Sequence, residues 1–181
     1  MINLLSEINK KIPVQIELGL QTSNEKTAKI INRGSTNKEL IDAVKRLREK
    51  NIEVVIHIMN GLPNENEADM LNTIDFINSL DIQGIKIHSL CILKNTKMGD
   101  DYLKKPWPLL TLDEYIKITV NQIRHLRSDI IIHRLSADAD LSDLIAPLWT
   151  RKKLVVMNEI DKLMRKYNYY QGDQFKKGHS S

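Results

Sequence analysis

The chain has 181 residues, with 27 basic and 23 acidic side chains, a formal net charge of +4, and 41% hydrophobic against 28% charged residues. That length and balance fit one globular domain with a real core and exclude a disordered chain. A single cysteine, Cys91, excludes an internal disulfide, a cysteine-rich zinc site and an iron–sulfur cluster ligated wholly by this chain. No apolar run approaches the ~20 residues needed to cross a bilayer. The opening MINLLSEINKK lacks the apolar core of a signal peptide, so a cytoplasmic setting is the expectation.

Residues 2–11 place Ile2, Leu4, Leu5 and Ile8 at helical spacing, and Pro13 ends that helix. VQIELGLQT then alternates as a strand, with Ile16, Leu18 and Leu20 on one face and Glu17, Gly19 and Gln21 on the other. A short helical stretch over 27–31 and a turn at 32–35 lead to Thr36 or Asn37, either a good cap for KELIDAVKRLREK. The unit then recurs. VVIHIMNGLP reads as a strand ended by Gly61 and Pro63, and ADMLNTIDFINSL as an amphipathic helix behind acidic Glu65, Glu67 and Asp69. IQGIKIHSLCIL reads as the next strand, followed by a long loop containing KKPWPLL. Thr111 caps LDEYIKITVNQIRHL, and DIIIHRL is the last strand. After Ala146-Pro147 comes a helix, VVMNEIDKLMRKY, and a polar tail, so 147–181 are set apart from the βα units of 1–146.

Strand–helix alternation with Ile- and Val-rich strands predicts an α/β fold of parallel βα units. An open flavodoxin-like sheet and a partial TIM-like barrel both fit four such units. The polar residues favour the barrel. Glu17 and Gln21, His57, Lys86 and His88, and His133 or Arg134 lie near the carboxyl ends of their strands, where a barrel lumen tolerates them and a doubly covered sheet does not.

Five groups of residues carry possible chemistry. In ELGLQTSNEKTAKIINRG, Gly19 allows close approach to the strand, Gln21 ends it, and Arg33 is placed to fold back as a bidentate carboxylate clamp. The plain alternative is a buried amide tying strand to loop and a solvated arginine. GLPNE can present backbone amides to an anion or a ribose, or be only a turn. His57, His88 and His133 on three strands either converge on a metal, as in a metal-dependent hydrolase, or are separate hydrogen-bonded histidines. In HRLSADAD, Arg134 with Asp138 can bind a polar substrate, or Ser136 and Asp138 can simply cap the next element. The mixture of Arg151, Lys152, Lys153, Lys162, Arg165 and Lys166 with Tyr167, Tyr169 and Tyr170 suits RNA phosphates and bases, or is a solvated face. Cys91 reads as an inert core thiol.

ELGLQT, INRGST, HIMNGLP and IKIHSL, in this order, with HRLSAD, IAPLW and a closing YYQG, resemble the C-terminal half of a radical S-adenosylmethionine (SAM) enzyme. The resemblance is to the YhcC/YtqA-type branch, related to elongator-type acetyltransferases and oxygen-independent coproporphyrinogen oxidases, and it covers nearly the whole chain. It implies half of a partial (β/α)6 barrel with a [4Fe–4S] cluster and SAM at its mouth. The implied reaction of the parent is reductive cleavage of SAM to a radical that abstracts hydrogen from a substrate. By the same resemblance Gln21, Arg33, His57, Gly61 and Pro63 are SAM-side residues, with Arg33 on the carboxylate and His57 near the ribose. His88, His133 and Arg134 are substrate-side. The family's CxxxCxxC motif is absent, Ser35 stands where relatives commonly have histidine, and Asn64 where they commonly have glycine. The expectation is a chain that contributes SAM and substrate contacts, is inactive alone, and needs a cluster-binding half as partner. Its rivals are a cluster-less binding or scaffold protein and the metal-dependent hydrolase. The first strand, left at a sheet edge, also predicts self-association.

Overall fold

The computed structural model describes residues 1–137 and 142–176. The elements run α1 (Ile2–Asn9), β1 (Gln15–Gln21), α2 (Glu25–Ile30), α3 (Asn37–Arg48), β2 (Glu53–Asn60), α4 (Glu67–Asn78) and β3 (Gly84–Ser89). They continue with β4 (Ile92–Leu93), α5 (Lys97–Lys104), α6 (Leu112–His125), β5 (Ile131–Arg134), β6 (Leu144–Ala146), a 3-10 turn (Leu148–Arg151) and α7 (Lys153–Lys166). Among the described residues no helix is long and apolar enough to cross a membrane.

The main sheet is parallel, in the order β1-β2-β3-β5, so β1 is an edge strand. One face of it meets α3 and α4. Ile16, Leu18 and Leu20 of β1, Val54, Ile56 and Ile58 of β2, and Ile85 and Ile87 of β3 pack there against Leu40, Val44 and Leu47 of α3 and Ile74 and Ile77 of α4. The period of two along the strands and of 3.6 along the helices puts these residues on facing surfaces. A second cluster joins Tyr115, Val120 and Ile123 of α6 to Val156 and Ile160 of α7.

Capping fixes where the helices begin. Thr36, Asn66 and Thr111 each accept a hydrogen bond from the third residue of their helix, while Glu39, Asp69 and Glu114 answer the cap's own backbone N–H. Of the two caps expected for α3, Thr36 is the one used.

Two features depart from the sequence reading. IQGIKIHSLCIL is not one strand: β3 stops at Ser89, and β4 pairs antiparallel with β6 in a separate two-stranded sheet. Its neighbour β2 turns away at Gly61, where φ is +87°, so the ladder has nothing further to pair with. The loop before KKPWPLL holds a helix, α5, capped by Thr96. Gly99 in that helix sits against the Leu93 carbonyl oxygen, where any side chain would collide.

Candidate functional site

The carboxyl end of the sheet opens into a cavity of about 570 Å³. Gly19, Gln21, Arg33, Gly34 and Ser35 give it small or polar walls, and Ile31, Met59, Leu62, Leu90 and Met98 apolar ones. Gln21 takes a left-handed backbone (φ 58°) at an irregularity where β1 slips against β2. That turns its side chain back along the strand, where its amide nitrogen donates to the carbonyls of Gly19 at 3.3 Å and Leu20 at 3.2 Å. A Cβ on Gly19 would meet this amide at 2.5 Å, so a larger residue there would push the Gln21 side chain aside.

Arg33 folds back over the end of β1, as the clamp reading requires, and its side chain is only 5% exposed. Its donors are occupied within the protein. Nε donates to Ser35 O at 2.6 Å, and Nη1 donates to Leu20 O and Thr22 O at 2.8 Å each. Nη2 donates to Asn37 Oδ1 at 3.0 Å and to Glu25 Oε2 at 3.4 Å. A guanidinium has five N–H donors, and all five are spent inside the protein. A ligand carboxylate at Arg33 has to displace Glu25, the longest of the five contacts. The arginine is therefore neither a free clamp nor a solvated residue: it ties β1, α2 and α3 together.

The GLP turn is divided. Leu62 lines the cavity, whereas Gly61 lies against Leu110 and Pro63 is not among the lining residues. Asn64 has φ +64°, a conformation asparagine tolerates better than most residues. Glu65 beyond it accepts a hydrogen bond from Thr22 Oγ1, and burial pushes its carboxyl up.

His57 is not among the cavity's lining residues, although it stands in register with Gly19, which is, on one side and with Lys86 on the other, two residues before Met59 on the concave face. There the polar residues expected from the strand pattern do come together. Glu17 bonds His57 Nε2 through Oε2 at 2.7 Å and accepts from Lys86 Nζ through Oε1. Chiefly that lysine holds the Glu17 carboxyl below its ordinary range. The His57 and His88 rings stack with centroids 5.2 Å apart. Burial, reinforced by His57, Arg134 and Lys86, drives the His88 imidazole down to about 4, and its Nε2 is enclosed with no partner. His133 lies over Gly84, which leaves room for its ring, and Arg134 stands opposite Lys86.

Among the described residues no three His, Cys, Asp or Glu side chains gather as metal ligands. The hydrolase alternative required the three imidazoles to converge. Instead two stack face to face, and one of those is held by a carboxylate. Asp138 lies outside the described residues. Cys91 is partly buried, and burial raises its thiol, in keeping with an inert role. In the basic–aromatic terminal segment, Tyr167 and Tyr169 stack on each other at 5.4 Å, and the Arg124 guanidinium covers Tyr169 at 3.6 Å. Those ring faces are already used within the protein.

Ile31, Met59, Leu90 and Met98 were not foreseen as cavity residues, whereas Leu62 falls within the GLP turn that was. Met59 was legible, two positions beyond His57 on the same strand face. Met98 was not, because α5 is short and carries a glycine.

A sheet open on one face, with a cavity at its carboxyl end and a polar lumen below, is half of a curved parallel barrel. The Radical SAM superfamily model matches residues 1–77 and the Radical_SAM C-terminal domain model residues 82–166. The uncharacterized protein YtqA of Bacillus subtilis is 36% identical over 177 residues, 98% of this chain and 55% of that protein. Protein YhcC of Escherichia coli K12 is 32% identical over 154 residues, 85% of this chain and 50% of that protein. Among solved structures, the archaeal Methanocaldococcus infernus Elp3 with an N-terminal deletion superposes with a TM-score of 0.78 at 15% identity, covering 93% of this chain and 40% of that one. The last match speaks for the fold, an α/β portion of a TIM-like barrel.

The chain therefore belongs to the radical SAM superfamily, and its similarities fit the YhcC/YtqA branch. It spans about half the length of these curated relatives. Members of the superfamily use SAM and a [4Fe–4S] cluster. The residues present do not fit the cluster, since one cysteine cannot provide three thiolates.

Proposed function

We propose that this chain forms the SAM-side and substrate-side portion of a radical SAM barrel, and that the cluster's ligands come from outside these residues. The observation that carries this reading is the cavity at the carboxyl end of the sheet, in a superfamily member whose only cysteine stands outside it. When cluster and SAM are bound together they supply one-electron chemistry. The chain's own part is to bind and orient. Its apolar walls at Met59, Leu62, Leu90 and Met98 suit an adenine ring, and the exposed backbone at Gly34 and Ser35 suits the polar end of the ligand. The lumen below, with His88, His133 and Arg134, receives the substrate. The cluster-bearing partner adds its strands to the free edge of β1, and a chain lacking that partner self-associates through the same edge.

Calorimetric titration with SAM tests the binding claim. Gly34 has open space around the position of a Cβ, so Gly34→Phe fills the cavity without backbone strain. SAM should bind the wild type weakly and Gly34→Phe not at all. Equal heats from both proteins would remove the cavity as the SAM site. The saturated Arg33 guanidinium favours a second reading, a binding protein without radical chemistry, which predicts SAM affinity that a cluster-bearing partner does not increase.

A further inference from the structure

The concave face beneath the cavity carries more than a polar lining. Glu17 on β1 bonds His57 on β2 with one oxygen, at 2.7 Å, and Lys86 on β3 with the other. His57 keeps 29% of its side chain exposed, and among the described residues its Nδ1 makes no hydrogen bond. His88, on the same face of β3, stacks on His57 with its own Nε2 enclosed. Other charged or titratable groups on this face are His133 and Arg134 of β5.

A carboxylate accepts but does not donate. Its bond to Nε2 therefore selects the imidazole form with the proton on Nε2 and the lone pair on Nδ1. Lys86 keeps that carboxylate ionised, so it also stabilises the imidazolium that forms when Nδ1 takes a proton. Two stacked imidazoles disfavour a double charge. The enclosed one, His88, stays neutral.

We infer that His57 is a proton-transfer residue for a substrate held in the lumen, with Glu17 as its positioning residue. The substrate class is a molecule presenting a hydroxyl or ammonium group. Its proton passes to Nδ1, the X–H bond's electron pair stays on the substrate, and the proton returns in the reverse sense. This assigns His57 away from the SAM ribose. It rests on the lumen reading only for what enters there, because neither His57 nor Glu17 lines the SAM cavity.

The test is nitrogen-15 NMR of the histidine rings above neutral pH, together with the rate of modification by diethyl pyrocarbonate, which attacks a free imidazole lone pair. His57 should exist as the single Nε2–H tautomer and be modified fastest, while His88 is protected. Glu17→Gln preserves the shape but removes the charge, and should mix the tautomers and slow modification several-fold. Lys86→Met leaves the Glu17–His57 bond in place and should keep the Nε2–H tautomer, which separates this effect from general misfolding. An Nδ1–H tautomer in the wild type, or a rate unchanged by Glu17→Gln, would overturn the assignment. SAM titration of Glu17→Gln should match the wild type, so failure here is distinguishable from failure of the cavity.

Discussion

At the residue scale, Arg33 shows how a side chain can be well placed and yet have its donors occupied. Its five internal bonds include those to the carbonyls of Leu20, in β1, and of Thr22 just beyond it. Removing it takes a donor from Thr22 O and the cation from Glu25, while Leu20 O keeps the Thr22 N–H at 2.7 Å. Unsatisfied buried groups cost about 1–3 kcal/mol each, so Arg33→Ala should lose roughly 2–4 kcal/mol in urea unfolding. Arg33→Lys should recover little of this, because a lysine ammonium cannot reproduce the fork. His88 makes a second prediction. Its folded value, about 4, lies below the ordinary 6.5. The unfolded chain therefore binds the extra proton in the interval between, and stability is lost as pH falls from about 6.5 toward 4. In His88→Phe the urea midpoint should fall less over that interval. An equal fall would mean that His88 does not control it.

At the element scale, most of the fold was legible because each βα unit repeats two clean periods and three of its helices carry capping boxes. The strand faces of Glu17, His57, Lys86 and His88 were legible for the same reason: alternation fixes a face whatever the partner strand is. Which row each residue occupies was not. It depends on inter-strand register, and β1 slips against β2 between Gly19 and Gln21. That slip sets Gln21 opposite Ile58 rather than Met59, which alternation along β1 alone does not foretell. The split between β3 and β4 was hidden in a continuous apolar run, since hydrophobicity does not record where a neighbouring strand stops. Gly84 gives the test of register. A Cβ there would strike the His133 ring and lie 3.0 Å from Val55 Cγ2. Gly84→Ala should cost about 1–3 kcal/mol, as overpacking does. Adding His133→Ala should restore part of it in a double-mutant cycle, whereas strictly additive costs would mean that the two side chains do not meet.

At the scale of the whole molecule, the chain presents a sheet with one covered face, one polar concave face and a free edge at β1. The covered face, the α6–α7 cluster and a third apolar cluster around Leu62, Leu90 and Ile92 form its buried core among the described residues. The concave face and the cavity at its rim account for the functional reading, and the free edge is where that reading requires another element. On this reading, binding surfaces for SAM and substrate reside here while the ligands for the cluster do not. Iron and sulfide content after anaerobic reconstitution of this chain alone tests that division most directly. No stoichiometric cluster should form, and Cys91→Ala should hold the same iron content as the wild type. A stoichiometric [4Fe–4S] cluster on the isolated chain would contradict it.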